Sequence, residues 1–202
     1  MKSLIDDHLK QSWKVHSLLK DYKIEDIWSL PIHLTEQENR NEVLDQLLET
    51  KKNITEAGIV KNLFSFRLYL GRIFHWDLKD NNIEKKNVGE IAARYVKAES
   101  LKHEDLPKTR FGNFIPIYNL ENEILLGLEN NLVQAGIHLG KIEGSQKNFF
   151  VNMTVYVKAR GLFGQIYMFV IKPFRILIVY PTLLKEFKIQ WDYYIQNKNK
   201  LN

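Results

Sequence analysis

Two neighbouring runs carry the side chains best suited to chemistry. Across Leu132–Ile142, alternation puts Leu132, Gln134, Gly136, His138 and Gly140 on one side and Val133, Ala135, Ile137 and Leu139 on the other. An imidazole and a carboxamide therefore share a face. Near neutral pH such an imidazole can shuttle a proton or hydrogen-bond a ligand while the amide orients it. The plainer readings are a solvated face, or a His138 bonded to a neighbouring strand. The next run, Phe149–Lys158, opposes Asn152, Thr154, Tyr156 and Lys158 to an unbroken apolar side of Phe149, Val151, Met153, Val155 and Val157. That side is core, or else a cavity wall for a lipid-like or polycyclic ligand. Lys172 and Arg175 interrupt the most apolar stretch of the chain. Each either snorkels to water along its aliphatic stem or meets an anion, and Arg175 could clamp a ligand carboxylate. The candidate ligand-binding set is thus Gln134, His138, Thr154, Tyr156 and Arg175, with no residue assigned as catalytic. A catalytic reading would use His138 and Tyr156 as acid and base, and requires them to converge within hydrogen-bond reach.

Absences narrow the chemistry further. Histidines at 8, 16, 33, 75, 103 and 138 show no His-x3-His or His-Glu-x2-His spacing, there is no cysteine, and no phosphate-cradling glycine pattern or Gly-x-Ser-x-Gly elbow occurs. The expectation is no metal, nucleotide or other cofactor. The carboxylate pairs Asp6-Asp7 and Glu25-Asp26 read as solvated or helix-start charges. The net charge of +5 is unevenly spread: from Lys141 onward ten Lys/Arg stand against three Asp/Glu, whereas the preceding residues hold nineteen against twenty-one. Those ten cations form no run, so a nucleic-acid partner is not expected. An acidic partner or anionic membrane for the basic C-terminal region is a further reading.

The elements that must position these groups follow from periodicity. Ser12–Leu19 alternates like a half-buried strand, and Lys23–Leu30 places Ile24, Ile27, Trp28 and Leu30 at helical spacing before Pro31. Asn41–Glu49 and Ile59–Phe74 read as amphipathic helices, residues 77–87 as a polar surface loop, Ile91–Val96 as either period, and Leu101–Asn113 as loop. From Phe114 the period becomes two. Glu123–Glu129, Leu132–Ile142 and Phe149–Lys158, parted by Asn130-Asn131 and by residues 143–146, form an antiparallel meander. A long helical stretch from Gln165 to about Gln196 follows, with kinks or a break expected at Pro173 and Pro181.

With 202 residues, 45% hydrophobic and 26% charged, the chain reads as one sizeable domain. Met1–Asp21 lacks the apolar core of a secretory signal, so a cytoplasmic location is expected. Gly161–Leu184 is apolar enough to suggest a membrane span, but Lys172, Pro173 and Arg175 sit at its centre, where each charge costs roughly 2.5–3.5 kcal/mol. A buried core helix is the preferred reading, with no membrane span.

Ser12-Trp13-Lys14-Val15-His16-Ser17-Leu18, Glu25-Asp26-Ile27-Trp28-Ser29-Leu30-Pro31, Gly136-Ile137-His138-Leu139-Gly140, Ile171-Lys172-Pro173-Phe174-Arg175 and Val179-Tyr180-Pro181 together span most of the chain. In these motifs it resembles an uncharacterised bacterial family of unknown function, within the START and polyketide-cyclase-like (SRPBCC) superfamily. The resemblance implies an α+β helix-grip fold over residues 1–202. In that fold a curved antiparallel sheet wraps a long C-terminal helix, here with an inserted helical segment near residues 41–75. It also implies an apolar cavity between sheet and helix that binds a small hydrophobic molecule. Relatives often carry Thr-Val-His where Leu132-Val133-Gln134 stands, which leaves His138 alone on its face. The alternatives are a cyclase- or dehydratase-like enzyme in the same pocket, and the basic-surface interaction module.

Overall fold

The computed structural model describes residues 2–32, 34, 42, 43, 46, 89–102, 106, 115–144 and 149–201. It shows an α+β chain with a five-stranded antiparallel open sheet and a long C-terminal helix. Two helices, α1 (Lys2–Leu9) and α2 (Lys14–Leu18), precede strand β1 (Lys23–Ser29). Helix α3 (Glu90–Ala98) leads to β2 (Ile115–Asn119), β3 (Glu123–Glu129), β4 (Val133–Glu143) and β5 (Phe149–Ala159). The chain ends in α4 (Gly161–Phe174), a π-helical segment (Arg175–Val179) and α5 (Tyr180–Leu201). Strand order is β1-β5-β4-β3-β2, so the first strand pairs with the last.

The meander forms where the alternation predicts it. Asn130 closes the β3–β4 turn: its side-chain oxygen accepts the Leu132 and Val133 amides at 2.9 Å each. Pro116 has no amide to give a ladder, and β2 lies at the sheet edge with a bulge between Pro116 and Tyr118.

The opening is the reverse of the expectation. Ser12–Leu19 contains a helix, α2, that buries Val15 and Leu18, and Lys23–Ser29 is a strand. The reason lies in a bulge between Ile24 and Asp26, which sets Ile24 opposite Tyr156 and Ile27 opposite Thr154. Two apolar residues three apart then share one sheet face and imitate helical spacing. Ile91–Val96, ambiguous in period, belongs to α3, which buries Ile91, Ala92 and Tyr95. The helix expected over 59–74 and the loop over 77–87 lie outside the described residues. Of Asn41–Glu49 only Glu42, Val43 and Gln46 are described, all helical.

The chain resolves into two compact units, Met1–Thr35 with Lys86–Gln165, and Glu36–Lys85 with Ile166–Asn202. In the first, one sheet face packs on α2 and α3 through Trp13, Val15, Leu19, Tyr22, Ile91, Tyr95, Tyr118, Leu125 and Tyr156. The other face carries Ile124, Leu126, Val133, Ala135, Leu139, Val151, Met153 and Val157, all buried. In the second unit Phe187 and Trp191 are buried, and Lys198 pairs with Glu42 at 2.8 Å.

The C-terminal stretch stays helical through both prolines. Between them the turn widens, and the Tyr180 amide reaches the Arg175 carbonyl, five residues back. The expected buried core helix is not found. Only 11% of the apolar window within Gly161–Lys198 is buried, and Leu162, Phe163, Phe169 and Leu177 are 69%, 63%, 79% and 73% exposed. By length and composition this helix could cross a membrane.

Glycine has a packing role in β4. A Cβ built on Gly140 would lie 2.5 Å from Trp13 Cη2 and 2.9 Å from His138 Cε1, both rigid rings. The Gly140→Ala variant is therefore expected to lose about 1–3 kcal/mol in urea unfolding, as overpacked cores do. An unchanged midpoint would show that the ring of Trp13 does not lie where it is placed.

Candidate functional site

The polar side of the sheet holds its functional groups in two clusters. The first centres on Glu123, the opening residue of β3, whose side chain is 7% exposed. Helix α2 begins directly over it, so the Lys14 amide donates to Oε1 at 2.6 Å and the Val15 amide to Oε2 at 3.3 Å. The Tyr118 hydroxyl donates to Oε2 at 2.8 Å, and His138 Nε2 lies 3.1 Å from the same oxygen. A carboxylate only accepts, so His138 carries its proton on Nε2. Its Nδ1 is buried and has no hydrogen-bond partner among the described residues. Burial pushes the Glu123 carboxyl up, but the bonds from His138, the Lys14 amide and Tyr118 outweigh it and hold it below its ordinary value. Burial lowers His138 more than Glu123 raises it, so a carboxylate faces a neutral imidazole.

His8, from the last turn of α1, joins this cluster. Its Nε2 lies 2.6 Å from the Tyr156 hydroxyl and its Nδ1 3.2 Å from Thr154 Oγ1. Tyr156 also lies 3.4 Å from His16 Nδ1, and His16 Nε2 is 3.2 Å from the His8 carbonyl. One proton assignment satisfies all four contacts. His16 Nε2–H donates to the carbonyl, Tyr156 O–H to His16 Nδ1, His8 Nε2–H to the Tyr156 oxygen, and Thr154 O–H to His8 Nδ1. The chain runs from fully buried Thr154 to half-buried His16. The rings of Trp13 and His138 pack on His8 at centroid distances of 4.8 and 5.3 Å. Burial first, then His138 and His16, lowers the pKa of His8 to about 3.

The second cluster holds Gln134. Its side-chain oxygen accepts the Tyr22 hydroxyl at 2.9 Å, and its nitrogen donates to Glu129 at 3.0 Å and to Glu90. Beside it Arg94 pairs with Asp21 and Glu90, and Lys158 reaches Asp21 at 2.8 Å. The bonds from Arg94 and Lys158 hold the Asp21 carboxyl well below the usual carboxylate range.

Gln134, His138, Thr154 and Tyr156 thus share one face, as their alternation requires. The structure divides them between two clusters and gives each a protein partner. No hydrogen bond joins His138 to Tyr156 among those the structure shows; they meet through the His8 ring. Space above them is filled, since a Cβ on Gly136 would come within 2.8 Å of Leu19 and one on Gly140 within 2.5 Å of Trp13. Arg175 lies in the π segment of the second unit, with Nη1 3.8 Å from Met168 Sδ. Glu25-Asp26 is corrected: Asp26 is 1% exposed, because the bulge turns it onto the apolar sheet face opposite Val155. Glu123, His8 and His16 carry no local sequence signal for their distant partners Lys14, Tyr156 and Thr154, while Tyr118 and Glu123 meet across the β2–β3 hairpin without a motif to mark them. Among the described residues no group of three or more His, Cys, Asp or Glu is placed to hold a metal ion. His33, His75 and His103 lie outside the described residues.

An antiparallel sheet with a packed polar network on one face and apolar residues on the other defines an α+β fold. The chain belongs to the family described as protein of unknown function (DUF2867), whose model matches residues 18–182. No protein of curated function and no solved structure matches it.

Two outcomes test this site. Tyr118→Phe removes one bond to a buried carboxylate and is expected to cost about 1.5–3 kcal/mol in urea unfolding, whereas Ser17→Ala, at an exposed position, should cost under about 0.5. For pH, His8 takes up its proton near 6.5 when unfolded and near 3 when folded. The unfolded chain binds more protons between those values, so stability is fully present above pH 6.5 and falls as pH drops toward 3. The slope expected between pH 6 and 5 is on the order of 1.4 kcal/mol per pH unit from His8. His8→Gln should flatten it, and equal slopes in both proteins would remove His8 from the buried network.

Proposed function

We propose that the protein is a cytoplasmic binder of a small hydrophobic molecule, held against the apolar face of the sheet. The supporting observation is a dip in burial at the middle of that face. Ile137 and its cross-strand partner Val155 keep part of their surface accessible, while Leu139, Met153, Ala135 and Val157 in the flanking rows are buried. A row of Leu126, Ile137, Val155 and Asp26 crosses four strands there. Leu126 and Asp26 are buried at the ends of that row, so a ligand seated over Ile137 and Val155 would meet hydrocarbon, the surface that dominates small-molecule sites.

The helix-grip, START-like reading of residues 1–202 belongs to the same proposal. It is supported by the order of strand, insertion, meander and long C-terminal helix, and by the pairing of β1 with β5. The short helix preceding β1, rather than following it, departs from that order. In this reading His138, Thr154 and Tyr156 fix the N-terminal helices, Gln134 ties β4 to α3 and Tyr22, and ligand contacts come from the opposite face. A cyclase- or dehydratase-like activity gains no support, because Trp13 and Leu19 occupy the space a substrate would need beside His138.

The test is titration of the full chain with the apolar fluorophore N-phenyl-1-naphthylamine, alongside native mass spectrometry for co-purified small molecules. Saturable binding is expected, weakened at least about tenfold by Ile137→Trp or Val155→Trp and unchanged by Tyr156→Phe. Absence of saturable binding, or equal affinity in the tryptophan variants, would overturn the proposal.

A further inference from the structure

We infer that α4 docks the protein on an anionic membrane surface. Leu162, Ile166, Phe169, Pro173, Leu177 and Pro181 succeed one another at steps of four, three, four, four and four, and every one of them is exposed. Steps of four and three keep α-helical residues on one face. Consecutive steps of four would drift around an α-helix, and the wider turn of Arg175–Val179 takes up that drift where they occur. The outcome is a single apolar stripe roughly 28 Å long at 1.5 Å per residue. Scattered exposed apolar residues are ordinary, whereas a contiguous row of this length marks an interaction surface.

Charge selects the partner. From Ser145 to Lys185 the chain contains no Asp or Glu, and its ionic groups are Lys147, Lys158, Arg160, Lys172, Arg175 and Lys185. Lys172 is exposed beside Pro173 and Lys185 follows the stripe, while Lys158, Arg160 and Lys188 are held in ion pairs by Asp21, Glu129 and Asp192. A row of hydrocarbon in a stretch of sequence that carries cations and no carboxylate complements the acyl boundary and anionic headgroups of a bilayer. Lying in the interface suits these residues better than crossing it, since a span would draw Lys172 and Arg175 into hydrocarbon.

Flotation of the full chain with extruded vesicles tests this. Binding is expected to vesicles of equal phosphatidylcholine and phosphatidylglycerol, and to be at least about tenfold weaker to phosphatidylcholine alone or at high salt. Phe169→Ser with Leu177→Ser should weaken it at least about tenfold while the circular dichroism spectrum and melting temperature hold, because both side chains are exposed. Equal flotation of that variant, or none by the wild-type chain, overturns the inference. So does a dimer in light scattering that the same variant dissociates, which makes the stripe a contact between copies. Resistance of the bound protein to alkaline carbonate overturns it in favour of a span.

Discussion

A five-residue helix does not persist in water by itself, because the cost of its nucleus is never recovered over so few turns. Helix α2 depends on what receives its first amides, and that group is the carboxylate of Glu123. Trp13, at the N-cap position, supplies no capping oxygen, so a side chain more than a hundred residues away does what a local Ser or Asp ordinarily would. The same carboxylate takes the Tyr118 hydroxyl and the His138 proton. Four donors around one anion make a buried charge tolerable. They also tie the N-terminal segment, the edge hairpin of β2 and β3, and the central strand β4 to a common point.

Much else on that face follows from this anchorage. With α2 seated, Trp13 and Leu19 descend onto β4, and only glycine fits beneath them at 136 and 140. The hollow that Gly136 and Gly140 would leave in a bare sheet is filled from above. Burial first, then the neighbouring His138 and His16, keeps His8 neutral against the pull of Glu123, while the bonds Glu123 accepts keep that carboxylate charged. The polar face is therefore a cemented one. Its hydrogen bonds serve the chain itself.

Legibility in the sequence tracked the range of the interactions. Strands β3 to β5 were readable because alternation and turn chemistry are local, and Asn130 caps its own turn. The shared face of Gln134, His138, Thr154 and Tyr156 followed from the same period. The opening was not readable, since one bulge shifts β1 into apparent helical phase, and since α2 is determined by Glu123 rather than by its own residues. His8 and His16 looked isolated because their partners, Tyr156 and Thr154, are remote in the chain. The exposure of the C-terminal helix was hidden for a different reason: hydrophobicity reports the need for an apolar surrounding, not whether protein supplies it.

The two prolines of that helix bear on which surrounding it meets. Pro173 and Pro181 have no amide hydrogen, so the carbonyls of Phe169 and Leu177, four residues earlier, lose the donors that an uninterrupted α-helix would supply. Those carbonyls belong to the two most exposed apolar residues of the stripe. In a bilayer's hydrocarbon centre an unmet carbonyl costs several kcal/mol, whereas at the headgroup boundary water can satisfy it. The widened turn of Arg175–Val179 bonds its backbone five residues apart, which is how a helix accommodates the missing proline donors. On the proposal that this face meets a membrane, the prolines and the cations Lys172 and Arg175 both count for the interface over a span.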